Sequence, residues 1–320
     1  HVGRALLPLG KFSTGRSARP TSEADLPTYQ ERIIMRQWTH QKMTAVVLVI
    51  GAAIAYADET PSEIDPESTD DITLALARLA VETEADEITP EAYRAAKVAV
   101  LDAIGCAMAG YQASGVPAVV EVTKQFGGRE EATIWVHGGK VPGPAATFAN
   151  SVQTHALDLD DFHSPSITHI TSVIVPAAFA MGELNDATGK ETLASIVLGI
   201  EVAGRLGRAC RGLHAHQGFL PTSVMGGFGA TGTACRMQGC SVDETVHAMG
   251  IWYAHCSGNR QALFDRTLTK RIQPAIAARA GVFSSYLARK GFTGPRRIIA
   301  GQTASVVPIY GLHRKGPKPT

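Results

Sequence analysis

Residues 188–209 read TGKETLASIVLGIEVAGRLGRA, and this stretch decides the fold class. It opens with a capping box, in which the oxygen of Thr188 accepts from the backbone of Glu191 while the Glu191 carboxylate reaches back to the backbone of Thr188. Such a box marks the first turn of a helix. The apolar run that follows therefore predicts a long helix.

Similar start signals recur along the chain from Ile72 onward. Thr89-Pro90-Glu91 supplies a capping residue, a proline suited to the first helical position and an acid in the first turn, and predicts a helix to about Ala109. Ser241 forms a second capping box with Glu244. Further helices are expected at residues 172–185, 221–237 and 274–290, the last stopped by Gly291.

The composition agrees with closely packed helices. Of the 320 residues, 45% are hydrophobic and 6% aromatic, 32 are glycine, and the formal net charge is +1. Collagen-like, coiled-coil and disordered chains are excluded, and so little net charge gives no field that attracts nucleic acid or an anionic membrane. Only residues 132–137 (ATIWVH) have a strand-like composition. We expect one all-α domain.

Residues 1–71 lack this pattern. Residues 1–34 are a basic leader or upstream sequence translated from an early start. Residues 35–57 resemble a secretory signal peptide, with a charged start, an apolar run and an Ala-x-Ala ending; the run is shorter than the roughly 20 residues of a membrane span. Residues 58–71 predict an acidic linker. The folded part is expected to begin near Ile72, without tertiary contacts from residues 1–70.

The cysteines predict no metal or disulfide framework. They are odd in number and none forms a C-x-x-C pair. We expect all five to be buried small apolar residues: Cys106, Cys210, Cys235, Cys240 and Cys256.

The window HALDLDDFHSPSITH, which starts at His155, concentrates the chemistry of the chain. If the preceding helix continues, His155 and Asp158 share a face and Asp160 points elsewhere. Pro165 then breaks the helix and returns His169 toward Asp158. Histidines beside carboxylates suit proton transfer near neutral pH. The structural alternative is a helix C-terminus whose polar side chains only satisfy backbone groups.

Two further segments are candidates for ligand contact. Thr269-Lys270-Arg271 precedes the helix expected from Pro274, and its cations oppose the helix dipole unless a carboxylate binds there; solvated loop cations are the alternative. Residues 218–222 (GFLPT) enter a glycine-rich helix. Its glycines, at 226, 227 and 229, are expected to serve helix packing because no strand precedes them.

Two other chemistries fit parts of the same window. Asp158-Leu159-Asp160-Asp161 is a D-x-D-D string like the general-acid motif of helical terpene cyclases, although the low aromatic content disfavours the cavity such a site needs. A zinc or iron site is chemically possible from four donors. They are His155, Asp158, His163 and His169.

Together these segments resemble the MmgE/PrpD family, which includes 2-methylcitrate dehydratase of propionate metabolism, cis-aconitate decarboxylase and iminodisuccinate epimerase. The family fold is a large all-helical domain followed by a smaller α/β lid domain, with the active site between them. The resemblance rests on four motifs in family order across residues 72–296: HALDLDDFH (155–163) with Pro165 and His169, GFLPT (218–222), Thr269-Lys270-Arg271 before Pro274, and GFTGP (291–295).

The resemblance implies a lyase that acts on a small di- or tricarboxylate by acid–base chemistry, without metal or cofactor. His169 and Asp158 are expected to transfer and orient the proton, while Lys270 and Arg271 bind carboxylate. The catalytic candidates, which should converge on one pocket, are Asp158, His163, His169 and Lys270. The substrate-binding candidates are Arg271, Gln273 and His155.

The chain also departs from the family pattern. Phe162 stands where the family often has Thr, and Leu220 and Gln273 stand where it often has His, which leaves dehydratase, decarboxylase and epimerase open. After Gly301 the family pattern ends, so we expect a truncated chain with domain 72–296, a divergent tail at 297–320 and no lid.

The expected truncation bears on activity and association. Without a lid, turnover is expected to be weak or absent, and a non-catalytic dimerisation module is the alternative. Uncovered apolar surface predicts a homodimer. The family implies a cytoplasmic protein, whereas a genuine signal at residues 35–57 implies export.

Overall fold

The structure is a computed structural model that describes residues 72–210, 215, 217–299, 305–306 and 309. Within these ranges, helices begin at the start signals predicted from the sequence. Both capping boxes form, at Thr188 and at Ser241, and Thr89 caps its helix by accepting from the backbone of Ala92. The predictions for residues 1–71 and for most of the tail lie outside the described residues.

The described residues form an all-α fold with one small hairpin. In chain order the elements are α1 (Ile72–Val81), a 3₁₀ turn (Ala85–Glu87), α2 (Pro90–Gly110), α3 (Val116–Phe126), β1 (Ala132–Thr133), β2 (Lys140–Val141), α4 (Gly143–His155), α5 (Thr171–Leu184), α6 (Gly189–Ala209), α7 (Pro221–Met237), α8 (Val242–His255), α9 (Gln261–Phe264) and α10 (Thr269–Ala288).

Two predicted elements have different bounds. α10 begins at Thr269 rather than at Pro274, which lies inside the helix. Proline costs that helix a hydrogen bond to the carbonyl of Lys270, but its fixed φ is helical, so an earlier start is compatible with it. Residues 132–137 contribute only β1, antiparallel to β2, because the chain turns through a positive φ of 61° at Val136.

α7 is the central helix. It is buried from Pro221 to Cys235 and packs most extensively against α6 and α10. Its glycines permit this approach: a Cβ at Gly227 would lie 2.0 Å from the ring of Trp252, and one at Gly229 would lie 2.6 Å from the carbonyl oxygen of Gly199. The packing role predicted for these glycines is confirmed.

The main core joins α1, α6, α7, α8 and α10. Phe228 and Trp252 meet edge to face at its centre. Ile298, Ile299 and Val306 complete the cluster, so core packing continues past residue 296, where the sequence suggested a boundary. Within the described residues, no helix is both long enough and apolar enough to cross a membrane.

The cysteines follow the expectation in part. All five are free thiols; three are buried and two are only half-buried. Burial raises the pKa of the Cys210 thiol to about 11, as expected for an inert core residue. The buried three are Cys210, Cys235 and Cys240, and the half-buried two are Cys106 and Cys256.

Candidate active site

The last turn of α4 delivers His155, and the chain reverses directly after it. α4 ends at His155, and Asp158 has a left-handed backbone conformation with φ 58°, which Asp adopts more readily than most residues. The reversal keeps Oδ1 of Asp158 3.8 Å from Nε2 of His155. The two side chains therefore share a face although the helix does not continue.

Asp160 points into the protein beside His155. Its side chain is 0% exposed, and Nδ1 of His155 donates to Oδ2 at 2.9 Å and to Oδ1 at 3.0 Å. The expectation that Asp160 points elsewhere is wrong, because the turn at Asp158 redirects the residues that follow. An ionised carboxylate only accepts hydrogen bonds, so the Asp160 contact requires a proton on Nδ1 of His155.

Lys270 reaches the same point from the first turn of α10. Its Nζ donates to Nε2 of His155 at 2.8 Å and also to Oδ1 of Asp158. An ammonium group only donates, so Nε2 presents its lone pair and His155 is neutral. These bonds use two of the three ammonium N–H groups, and one donor is left for a ligand.

His169 completes the group from the loop before α5. Its Nδ1 donates to the backbone carbonyl of Asp160 at 3.2 Å, and the backbone N–H of His169 donates to Oγ1 of Thr222 at 3.0 Å. Its Nε2 lies 3.6 Å from Oδ1 of Asp158. With Nδ1 committed to a carbonyl, Nε2 is the ring nitrogen that faces Asp158.

We refer to His155, Asp158, Asp160, His169 and Lys270 as the site cluster. Burial favours a raised pKa for the Asp158 carboxyl, but the hydrogen bond and charge of Lys270 outweigh burial and lower that pKa. Asp158 is therefore an anion at neutral pH. It can stabilise a protonated His169 beside it.

Asp161, next in the chain, has a separate structural role. Its Oδ1 accepts from the backbone N–H of Thr171 at 3.0 Å, at the start of α5, and burial raises the pKa of its carboxyl. Asp158 and Asp160 both lie beside His155 and His169, whereas Asp161 is bonded to Thr171. Only two acids of the D-x-D-D string therefore belong to the site cluster, and the third holds the start of α5.

The site cluster opens onto a cavity of about 360 Å³, a volume within the range of small-molecule sites. Its polar lining comes from His155, Asp158, His169, Thr222, Arg260 and Lys270. Its apolar lining comes from Phe162, Ile167, Ala215, Leu220, Pro221 and Leu263. The N-terminus of α7 belongs to this wall, so its positive dipole end adds to the two cations and favours an anionic ligand.

His163 is not among the lining residues. Its Nδ1 is hydrogen-bonded to Oγ of Ser166 at 2.6 Å, and its backbone N–H donates to the carbonyl of Thr168 at 2.8 Å. The turn around Pro165 thus uses the imidazole to close its own loop. The structure brings Asp158, His169 and Lys270 together and leaves His163 outside.

Two substrate-binding candidates also lie outside the cavity wall. Arg271 donates to the backbone carbonyl of Ser114. Gln273 is buried and pairs with the backbone of Asn259: its Oε1 accepts from N at 2.6 Å, and its Nε2 donates to O at 3.1 Å. Consecutive residues of a helix point in different directions, so only Lys270 of this segment faces the cavity.

Three polar contributors had no assigned site role from the sequence: Asp160, Thr222 and Arg260. Asp160 was visible as one acid of the string, but its direction depends on the left-handed turn at Asp158. Thr222 lies in the GFLPT segment, which was a candidate for ligand contact, but no role was assigned to this residue. Arg260 lies in no motif, so no local signal identified it.

A metal ion has suitable donors in the site cluster. His155, Asp158, Asp160 and His169 offer ligand atoms that all lie within 4.8 Å of one another, a donor set that suits zinc or iron. The ammonium of Lys270, however, bonds to both Nε2 of His155 and Oδ1 of Asp158. A cation bound to those two atoms would have to displace Lys270.

The comparisons with known proteins agree with this architecture. The family model of the MmgE/PrpD N-terminal domain matches residues 74–311. A cis-aconitate decarboxylase-like protein, oryM, of Aspergillus oryzae is 31% identical over 250 residues, which are 75% of this chain and 51% of that protein. Cis-aconitate decarboxylase of Aspergillus terreus is 26% identical over 246 residues, 75% of this chain and 50% of that protein.

A mammalian protein gives a similar result. Cis-aconitate decarboxylase of Mus musculus is 26% identical over 234 residues, which cover 71% of this chain and 47% of that protein. The chain therefore spans about half the length of the curated relatives it matches.

Proposed function

The chain belongs to the MmgE/PrpD family, and from that membership we propose that its cavity binds a small di- or tricarboxylate and carries acid–base lyase chemistry without a metal. The observation that carries this proposal is the juxtaposition of His169, Asp158 and Lys270 on one cavity of about 360 Å³. Proton transfer beside a carboxylate needs a titrating group, a charge that stabilises it and a cation that holds the substrate.

His169 is the proposed proton-transfer residue. Its Nδ1 is engaged by a backbone carbonyl, so the exchangeable proton resides on Nε2, 3.6 Å from the Asp158 carboxylate. When protonated, the ring can deliver a proton to carbon after CO₂ is lost; when neutral, it can remove a proton before hydroxide leaves. Asp158 stabilises the protonated ring in either direction.

Lys270 is the proposed carboxylate ligand. Two of its N–H groups are fixed by His155 and Asp158, which orients the third without further loss of side-chain freedom. Asp160 supports the orientation of Lys270 through His155. It fixes the tautomer in which Nε2 of His155 can accept a hydrogen bond from the Lys270 ammonium. Asp160 and His155 are thus positioning residues for the ammonium group.

We propose cis-aconitate as the first substrate to test, with 2-methylcitrate as the second. The curated relatives named above are called cis-aconitate decarboxylases, and decarboxylation of this tricarboxylate releases CO₂ and adds one proton to carbon. Dehydration of 2-methylcitrate uses the same proton-transfer groups. We expect slow turnover by the 320-residue chain, because the Asp158 side chain is 55% exposed and competing water reaches it.

The experiment measures binding and turnover in the same samples. Wild-type protein and His169→Asn, which cannot titrate near neutral pH, are titrated with cis-aconitate and assayed for CO₂ release. We expect both to bind and only the wild type to release CO₂. A wild type that neither binds nor converts either acid would contradict the proposal, whereas rapid conversion would contradict only the expected slowness.

The metal-dependent alternative is tested on the same preparation. Its support is the clustering of four ligand atoms within 4.8 Å. Stoichiometric zinc or iron in purified protein, lost together with activity on chelation, would favour it over the metal-free site. Chelator-resistant turnover would favour the Lys270 arrangement.

We also propose a homodimer that uses the outward face of α2. Val98, Leu101 and Met108 are 67%, 73% and 61% exposed there, and their spacing puts them on one side of the helix. Gly105 lies between them with no atom near its Cβ direction, so a second helix can approach closely. If the cavity proves unable to bind acids, association alone would be the remaining function of the module.

A further inference from the structure

We propose that Arg260 holds a second substrate carboxylate in the cavity and so makes the site selective for di- and tricarboxylates over monocarboxylates. This inference rests on the proposed function, since it presumes that the cavity binds carboxylates. It adds a specificity-determining residue from a segment with no motif.

The backbone of Arg260 is fixed by the core. Its N–H donates to the carbonyl of Gly218 at 2.8 Å, and the preceding residue, Asn259, forms an isolated bridge with Phe219. The side chain of Gln273, on α10, hydrogen-bonds the backbone N–H and carbonyl of Asn259. These bonds hold the residue next to Arg260 in place. Gln273 therefore acts as a positioning residue for Arg260.

The guanidinium is held at one nitrogen. Nη1 of Arg260 donates to the carbonyl of Ala215 at 3.0 Å, another residue of the cavity wall. A guanidinium has five N–H groups, and a carboxylate can take two of them side by side. Arg260 is thus oriented toward the cavity wall with donors in excess of this one bond.

The side chains that line the cavity carry more positive than negative charge. Lys270 is neutralised by Asp158, the one acid among the described lining residues. No carboxylate of the described ranges lies within 4.0 Å of the Arg260 guanidinium. The half-buried wall thus carries one uncompensated positive charge, which an anionic ligand would complement.

Two separately held cations imply a ligand with two carboxylates. A monocarboxylate needs one cation and still has Lys270 when Arg260 is replaced, whereas a di- or tricarboxylate engages both. A charge-assisted hydrogen bond is worth about 1.5–3 kcal/mol, so loss of the Arg260 contact should weaken tricarboxylate binding by roughly 10- to 150-fold. Monocarboxylate binding should weaken by less than this.

The test uses the full chain with three unreactive probes: propane-1,2,3-tricarboxylate, glutarate and butyrate. Their dissociation constants are measured by calorimetry for wild type, Arg260→Gln, Arg260→Lys and the control Arg266→Gln. Arg266 is exposed, close in the chain and outside the cavity wall. Near-UV circular dichroism monitors folding.

We expect the preference of wild type for the tricarboxylate over butyrate to collapse in Arg260→Gln, to survive in part in Arg260→Lys, and to be unchanged in Arg266→Gln. If Arg260→Gln does not fold, a reduced preference in Arg260→Lys decides in favour of the proposal. Unchanged preference in a folded Arg260 variant would overturn it and leave Arg260 as a support for the backbone at Ala215 and Gly218.

The same data separate this proposal from the broader one. A wild type that binds none of the three acids would overturn both proposals. A wild type that binds all three and prefers none, but still releases CO₂ from cis-aconitate, would overturn the Arg260 proposal and leave the lyase site standing.

Discussion

Nε2 of His155 accepts a hydrogen bond from Nζ of Lys270 at 2.8 Å, although the two residues are 115 positions apart in the chain. The bond joins the end of α4 to the first turn of α10. It requires that Nε2 carry a lone pair, and the carboxylate of Asp160 behind the ring selects that tautomer because it accepts from Nδ1–H. One buried contact thus ties the protonation of a histidine to the orientation of a lysine.

Replacement of Lys270 should remove most of the proposed activity. In Lys270→Met, the substrate loses a carboxylate ligand and Asp158 loses its cation, so turnover should fall at least about 100-fold. Single-turnover CO₂ release from cis-aconitate measures this, with Lys290→Met, at an exposed position just beyond α10, as the control. Turnover of Lys270→Met within threefold of wild type would rule out this role.

Asp158→Asn should destabilise the protein in a pH-dependent way. The folded-state pKa of Asp158 is lowered, so the ion pair stabilises the fold above the unfolded pKa of about 3.9 and is lost as the pH falls through the lower folded value. The difference in free energy of unfolding between wild type and variant should be level from pH 5 to 7 and shrink as the pH falls below the unfolded pKa of about 3.9.

The size of that difference should be small. The Asp158 side chain is 55% exposed, so solvent screening keeps the contribution under about 1 kcal/mol. Urea unfolding monitored by circular dichroism measures it. Asp186→Asn is a matched control, because Asp186 is exposed and also has a positive φ, of 52°. A loss of unfolding free energy in Asp158→Asn that does not vary with pH would contradict an ion pair as its origin.

Asp160→Asn should change the tautomer of His155. The amide of Asn can donate to Nδ1, and the ring proton would then move to Nε2. A proton on Nε2 would face the Lys270 ammonium and remove the hydrogen bond between them. Nitrogen-15 NMR should detect Nδ1–H in wild type and its loss in the variant, with turnover reduced at least about tenfold. Asp265→Asn, on the exposed segment after α9, serves as the control. An unaltered tautomer would show that Asp160 does not set it.

Gly227→Ala should destabilise the core. The new methyl group would lie 2.0 Å from the Trp252 ring, and overpacking of this kind costs about 1–3 kcal/mol. Gly189→Ala, where no atom lies within 4 Å of the added carbon, should change stability little. Chemical denaturation compares the two, and equal effects would mean that α7 can shift away from α8 without cost.

Leu101→Glu should dissociate the proposed dimer. A charge on the exposed apolar face of α2 would be buried without a partner in a symmetric contact. Sedimentation at micromolar concentration should detect a dimer for wild type and a monomer for the variant. Val122→Glu, on the exposed side of α3, is the control. A monomeric wild type would contradict the proposal directly.

Much of the fold was predictable from local signals. The capping residues Thr89, Thr188 and Ser241 fix helix starts through contacts within one turn of chain, and these contacts are written in the sequence. The start of α10 was not predictable in this way, because Pro274 is compatible with either the first turn or a later position. Packing of Lys270 against the end of α4 accompanies the earlier start.

The candidate site was predictable where it rests on short spacings. His155, Asp158 and His169 lie in one short window and line one cavity, whereas Asp160 faces inward and His163 faces its own loop. No short spacing relates Lys270 to them. Their directions depend on a single left-handed residue and on a tight turn. Arg260 depends on hydrogen bonds to residues more than 40 positions earlier, which no local pattern encodes.

The apolar part of the cavity wall and the proposed proton-transfer groups come from different side chains. Leu220 and Leu263 line the cavity with apolar atoms and take no part in the hydrogen bonds of the site cluster. Random replacement at these two positions would therefore alter which ligands fit while the polar groups keep their bonds. For laboratory evolution this is a favourable starting point, because ligand preference can be varied without first rebuilding the proposed site.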